Sequence, residues 1–430
     1  MTSFFARRQA LRALQHRDFR LLFGGSIVVG FVMPMQFLTQ IFWVQDHYPG
    51  RQVLYVGLIA ASRGSAMLFF SLVGGAFADR FERRRVLLVC ESTSLALSAV
   101  IALLMLSSPF GEWTIVPLLL LTFAASGNMA VDMPARTASI PAIVGMKDLS
   151  NAISLSAIGN QLAFPIAILV TGALNEQFGS GQVYAGSLLA WALILPMISA
   201  LKFRSSGEGS RKRGVLGNIA EGLSYTRRDA TIFAVISIVV VTQFIGMPGP
   251  ATLGPLWMTT VLGLSKAQFG LMGMTWGFGT FVASFFFAYR HDLIRRGATL
   301  CFTTLLFAVC AIVFAHSRVI PLTAVANFGL GFALIGTMVS ATTIVQHTVS
   351  DEMRGRVMGL FPLAMGLSML NGAPVSAAGQ IFGLEAVLPV LAWSTLLISG
   401  AIILWRPVLR RVNPQADAVT IAAPFAETSA

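Results

Sequence analysis

Gly74-Gly75-Ala76-Phe77-Ala78-Asp79-Arg80-Phe81-Glu82-Arg83-Arg84-Arg85 closes one long apolar run, Leu54 to Ala78, and precedes another, Val86 to Leu106. Six of its last seven residues are charged, and only two of those are acidic. A charged turn this short between two membrane-length segments predicts a helical hairpin. Lys and Arg are retained on the cytoplasmic side of short loops, so the turn also sets an orientation. The rest of the chain is counted outward from it.

The chain has 430 residues, of which 55% are hydrophobic and 11% charged. A soluble domain carries about 25% charged residues, so this composition predicts an all-α polytopic membrane protein. The net charge of +12 sits in short loops, which reads as topology-setting charge and not as a nucleic-acid surface. No cleavable signal peptide is expected, because residues 1–20 carry five arginines and the first apolar run is too long for one. Cys90, Cys301 and Cys310 lie in apolar segments without paired spacing, so neither a disulfide nor a metal site is expected.

A membrane helix needs about 20 apolar residues. That ruler gives twelve spans: 19–43, 53–78, 86–107, 113–133, 151–174, 183–201, 231–258, 267–289, 298–315, 320–347, 357–381 and 386–405. The seventh is interrupted by Pro248, Pro250 and Pro255, and the eleventh is rich in small residues. Strong bases cluster in alternate loops, at the amino terminus, 80–85, 136–147, 202–228, 290–296, 354–356 and 406–411. The opposite loops hold only Arg51, Lys266 and Arg318 as strong bases, so both termini are expected in the cytoplasm.

The longest connection, 202–230, begins as a basic linker and turns amphipathic through Ile219, Leu223 and Tyr225. It divides the chain into an amino-terminal half (1–201) and a carboxy-terminal half (231–411), followed by a polar tail (412–430) expected to be disordered. Phe77-Ala78-Asp79-Arg80 recurs as Phe287-Ala288-Tyr289-Arg290, 210 residues on, and Pro165 recurs as Pro374, 209 residues on. Two repeated six-helix halves with a site between them is a transporter architecture.

The turn between spans two and three resembles the Gly-x-x-x-Asp-Arg-x-Gly-Arg-Arg signature of the major facilitator superfamily. Gly75, Asp79, Arg80, Arg83 and Arg84 occupy its places, with Glu82 where the second glycine is usual. Within that superfamily the chain is most similar to the enterobactin-exporter-like efflux branch. The similarity rests on Arg17-Asp18-Phe19-Arg20-Leu21-Leu22, Ala78 to Arg85, Pro134-Ala135-Arg136, Glu221-Gly222-Leu223-Ser224-Tyr225 and Arg354-Gly355-Arg356-Val357. Val32-Met33 stands where many members of the branch carry Gly-Asp, and the Gly-Pro of span five is reduced to Phe164-Pro165. The resemblance implies a twelve-helix major facilitator fold. It further implies proton-coupled export of a siderophore or drug-like compound by alternating access, at the inner membrane, as a monomer without a cofactor.

Charges inside the hydrocarbon are the candidates for mechanism, because each costs about 2.5–3.5 kcal/mol at mid-helix on insertion scales. Arg63 is the deepest strong base and reads as an anchor for an anionic group, or alternatively as a structural arginine bonded to carbonyls. Asp79, Arg80, Arg83, Glu91, Asp132 and Arg136 read as an ion-pair latch on the cytoplasmic side that forms in only one state, the alternative being plain topology-setting charges. Glu91 is also the candidate proton-coupling carboxylate. A substrate cavity is expected from Gln36, Gln40, Arg63, Asn128, Asn160, Gln161, Gln243, Trp276, Asn327 and Asn371, some of which would instead bind helices together.

An ATP-driven pump is excluded within this chain, since none of the four lysines follows a glycine. An enzyme is not expected, because no paired carboxylates, His cluster or nucleophile motif shares a depth. Import of a nutrient or siderophore is the rival within transport, and a non-transporting membrane sensor or assembly partner the rival outside it. The expected partners are a small-molecule substrate, protons and the lipid bilayer.

Overall fold

Eleven continuous helical runs among the described residues are long and apolar enough to cross a bilayer. One of them, Ile115–Phe178, holds 64 residues. At 1.5 Å per residue that is about 96 Å, three times the hydrocarbon thickness. It divides at Gly145, whose φ of 69° and ψ of 172° interrupt the helix. Only glycine adopts this backbone cheaply. Two spans result, and the total is twelve.

The computed structural model describes residues 12–203, 215–289 and 296–411, without the side chains of 71–80, 215, 216, 218, 410 and 411. In chain order the first half contains α1 (Arg17–His47), α2 (Gln52–Arg80) and α3 (Arg83–Ser107). It continues with α4 (115–144), α5 (146–178) and α6 (Ser180–Ser199). A linker helix, α7 (Val215–Arg228), carries the amphipathic stretch expected there. The second half contains α8 (Ala230–Val261), α9 (Lys266–Tyr289), α10 (Arg296–His316), α11 (Ile320–Thr348), α12 (Asp351–Phe382) and α13 (Leu384–Trp405). The rest of the basic linker, 204–214, and the tail from 412 lie outside the described residues.

The prolines of α8 do not end it. A proline ring removes one donor and collides with the carbonyl four residues back, and a wider turn relieves both. Residues Val241–Gly246, Pro248–Leu253 and Trp257–Val261 take that wider π-helical path. Met247 N accordingly donates to Thr242 O at 2.9 Å, five residues back. Asp229 caps the start of the helix, accepting from Thr231 N at 2.8 Å and Ile232 N at 2.9 Å.

Two ends of the bundle differ. The basic face carries the turns after α2, α4, α6 and α11, whereas the far face carries those after α1, α3, α5, α8, α10 and α12. At the far face one apolar core joins both halves, with Phe42, Trp43 and Val56 packed into the same cluster as Leu253, Trp257 and Phe269. Toward the basic face the described apolar side chains form separate clusters. One holds Phe19, Leu87, Trp191 and Ile198 of the first half, the other Val235, Leu300, Ile344 and Val357 of the second. The bundle is therefore closed on its far face.

Two helix pairs make the seam, α2 with α12 and α5 with α9. Both rely on missing side chains. A Cβ at Gly64 would meet the backbone of Gly366 and Leu370, and one at Gly172 would meet the backbone of Lys266 and Gly270. Close backbone approach of this kind is what holds helices together where no hydrophobic driving force separates them from lipid. Gly329, Gly331 and Gly336, read from sequence as a packing surface, likewise abut Cys310, the backbone of Trp276, and Thr303 with Phe287.

Gly172→Leu is expected to prop α5 away from α9 and hold the far face apart. Paired spin labels at Gln45 and Thr259 should then report a longer, broader distance than in the unaltered protein; an unchanged distance would refute the seam.

Candidate functional site

Polar side chains recur at helical spacing on the inward faces of the first half. On α3 they are Glu91, Ser94 and Ser98, and on α4 Thr122, Ser126, Asp132 and Arg136. Spacings of three and four on α3, and the pairs Thr122–Ser126 and Asp132–Arg136 four apart on α4, turn a polar stripe of each helix toward the other. α1 adds Gln36 and Gln40, and α6 adds Tyr184, Ser187 and Trp191.

At the basic end of this stripe lies an ion cluster inside the membrane. Glu91, Asp132 and Arg136 are only 1%, 3% and 5% exposed, so the three charges must compensate one another. Arg136 Nε donates to Asp132 Oδ2 at 3.0 Å, and its Nη2 donates to Glu91 Oε1. Nη1 reaches Ser26 Oγ of α1 at 3.4 Å, so the arginine ties three helices. Glu91 Oε2 and Asp132 Oδ1 are buried without a hydrogen-bond partner. Two carboxylates share one guanidinium. Fully ionised, the cluster carries one excess negative charge; one added proton makes it neutral.

Above it the stripe is knitted by neutral groups. Asn128 Nδ2 donates to Cys90 O at 2.7 Å and Ser94 Oγ at 2.8 Å. Gln36 Nε2 donates to Ser98 Oγ at 3.0 Å and Ser187 Oγ at 2.9 Å, and Gln40 Nε2 donates to Thr122 Oγ1 at 3.2 Å. A small void opens among these groups, lined by Gln36, Gln40, Arg63, Ser94, Ser98 and Tyr184 among others.

At the far face the halves are clasped by polar groups that sequence reading left in loops. Lys266 Nζ of α9 pairs with Asp46 Oδ2 of α1 at 2.6 Å, and Gln45 Nε2 donates to Thr259 Oγ1 at 2.7 Å. Glu176 Oε2 of α5 accepts from Lys266 N at 2.8 Å and so caps α9 across the seam. Their signal in the sequence is position alone, at the ends of spans one, five and eight.

The remaining expected residues divide. Arg83 stands apart from the ion cluster and donates to Ala138 O at 2.7 Å. The side chains of Asp79 and Arg80 lie outside the described residues. Gln161 donates to Ser284 Oγ at 2.9 Å across the α5–α9 seam. Asn327 holds α11 to α9 through Met272 O at 2.9 Å, and Asn371 holds α12 to α8 through Phe244 O at 2.7 Å. Gln243 is buried, Trp276 half-buried and Asn160 exposed. Sequence reading missed Ser94, Ser98, Thr122, Tyr184 and Trp191; three- and four-residue steps from Glu91 along α3 would have flagged Ser94 and Ser98.

Residues 9–427 match the family model described as transmembrane secretion effector, nearly the whole chain. The chain belongs to the transmembrane secretion effector family of the major facilitator superfamily. The multidrug efflux pump Tap of Mycobacterium tuberculosis is 24% identical over 373 residues, covering 84% of this chain and 87% of that protein. The enterobactin exporter EntS of Escherichia coli O1:K1 / APEC is 23% identical over 359 residues, covering 76% and 80%. The solved nucleoside transporter NupG superposes with a TM-score of 0.69 at 14% identity, covering 90% of this chain and 97% of its own, which shows the shared fold. This member of the secretion effector family is thus a multi-pass membrane transporter and not an enzyme.

Arg136→Ala is expected to strand two buried carboxylates and to cost about 3–5 kcal/mol of stability. Thermal unfolding in detergent should show a large loss for this variant. The triple change Glu91→Gln, Asp132→Asn, Arg136→Leu should regain most of it, because no charge is then left unpaired.

Proposed function

We propose that this transporter exports a small amphipathic molecule, a siderophore or drug-like compound, in exchange for protons, with its basic face and both termini in the cytoplasm. The observation that carries the reading is the buried cluster of Glu91, Asp132 and Arg136. Its two partnerless carboxylate oxygens and single excess charge make it a one-proton site within the membrane. Burial matters because a carboxylate must exchange its proton near neutral pH to couple to a gradient. Arg136 also holds α1, α3 and α4 together, so a change in the cluster's charge acts on helices that rock during alternating access. The far-face seam and clasp describe a state that loads from the basic face, and the Asp46–Lys266 pair must part before release on the other side. The relatives named as an efflux pump and an exporter support the outward direction.

Efflux from cells preloaded with a panel of siderophores and dyes is expected to collapse when a protonophore removes the gradient. Glu91→Gln and Asp132→Asn should each abolish uphill efflux while still allowing exchange down a cargo gradient. Efflux indifferent to the protonophore would remove the proton from the mechanism. Uptake in place of efflux would make the protein an importer.

A further inference from the structure

Deep within the first half, one arginine has no carboxylate partner among the described residues. Arg63 lies in α2 with its guanidinium 4.7 Å above the Phe37 ring. Its Nε is shielded from solvent and has no hydrogen-bond partner. Among the described residues no carboxylate pairs with it. A guanidinium held inside a bilayer without an anion keeps much of its desolvation cost, of which the Phe37 ring offsets a part, and a bound anion would offset more.

The surroundings are rich in donors and contain no acid. Trp191, 2% exposed, lines the same void, and its buried indole Nε1–H has no acceptor. Gln36, Gln40, Ser94, Ser98, Thr122, Ser126 and Tyr184 also line it, Gln40 Oε1 being a buried acceptor without a partner. The ring faces of Phe37 and Tyr184 and the thioethers of Met33 and Met129 supply apolar walls. The void itself is about 20 Å³. A void of that size holds about one water-sized group. A head group fits, and a whole cargo does not.

We propose that this pocket is an anion subsite that takes one small monovalent anionic group against Arg63, with the Trp191 indole as a second donor. Two sources share that chemistry: the carboxylate end of an amphipathic cargo whose body remains outside the pocket, and free chloride. A cationic head group would be repelled by Arg63. A neutral amide would leave the guanidinium uncompensated. The site lies within the bundle of the first half, between α1, α2, α3, α4 and α6, and not at the seam between the halves. It rests on the export reading only in calling the occupant cargo.

The test is equilibrium binding to the purified full-length protein in lipid nanodiscs, with 2-naphthoate compared with 2-naphthamide, in chloride and in gluconate buffers. Naphthoate is expected to bind at least about tenfold tighter than the amide, the difference given by one charge-assisted hydrogen bond. Chloride should compete with it. Arg63→Gln should abolish the preference, Arg63→Lys should keep part of it, and Trp191→Phe should weaken naphthoate by a few-fold with the charge intact. If naphthoate fails but bromide quenches tryptophan fluorescence in an Arg63-dependent way, the anion site stands with a free halide as its occupant. Equal binding of acid and amide with no halide effect would overturn the proposal, as would an acid preference that survives Arg63→Gln. Binding to purified protein needs neither a gradient nor a direction of transport. Intact naphthoate binding without gradient-driven efflux would therefore sink the export reading alone.

Discussion

The hydrocarbon interior solvates no charge, and much of this molecule follows from that constraint. Twelve helices satisfy their own backbones, and the loops keep nearly all ionised side chains at the two faces. Among the described residues the exceptions are few enough to name. Glu91, Asp132 and Arg136 compensate one another, and Arg63 lies against the face of the Phe37 ring beside a void lined by hydroxyl and indole groups. Where charge is that costly, its retention marks the positions on which a transport mechanism can act.

A second constraint governs the seam. Lipid is as apolar as leucine, so greasy surfaces alone cannot hold the two halves together in the membrane. Glycines at the crossings of α2 with α12 and α5 with α9 let backbones touch, which secures contact through packing. The polar clasp of Asp46, Lys266 and Glu176 sits at the watery end of the same seam, where its ions keep part of their hydration. Exposed pairs of this kind contribute about 0–1 kcal/mol. They fix the register of the closed state more than its stability, and a seam assembled from weak parts is one that can separate.

Span count and hairpin geometry were legible in the chain because apolar length and loop charge are one-dimensional properties. Even the proline-broken seventh span was placed within a few residues. The site was legible only in part. Glu91, Asp132 and Arg136 stood out as charges in apolar runs, and the fold brings them together. Arg83 was grouped with them; its Nη1 donates to the Ala138 carbonyl, a partner that no residue pattern announces, and the side chain of Asp79 lies outside the described residues. The amides divided for a similar reason. Asn128, Asn327 and Asn371 bond across to neighbouring backbones and bind helices together, while Gln36 and Gln40 border the internal void. Composition shows that an amide must find a partner; only the packing shows whether that partner is a helix or a cavity. Asp46 and Glu176 were read as loop acids because their meaning depends on Lys266, which is more than 80 residues from either.

The two halves share a fold but not a chemistry. Every buried charged side chain among the described residues lies in the first half. The buried polar groups of the second are neutral, such as Thr303 with Thr337 at 3.1 Å and Asn327 on Met272 O. This asymmetry has a mechanical consequence. When two halves rock, a charge on the moving seam would be stripped of partners and resolvated in every cycle. Charges kept within one bundle travel with their partners and avoid that cost. The price is distance, because a change of charge at the Glu91 cluster reaches the seam only through the packing of α1, α3 and α4. Arg136 is bonded to groups on all three helices, which makes it a side chain through which such a change is passed on.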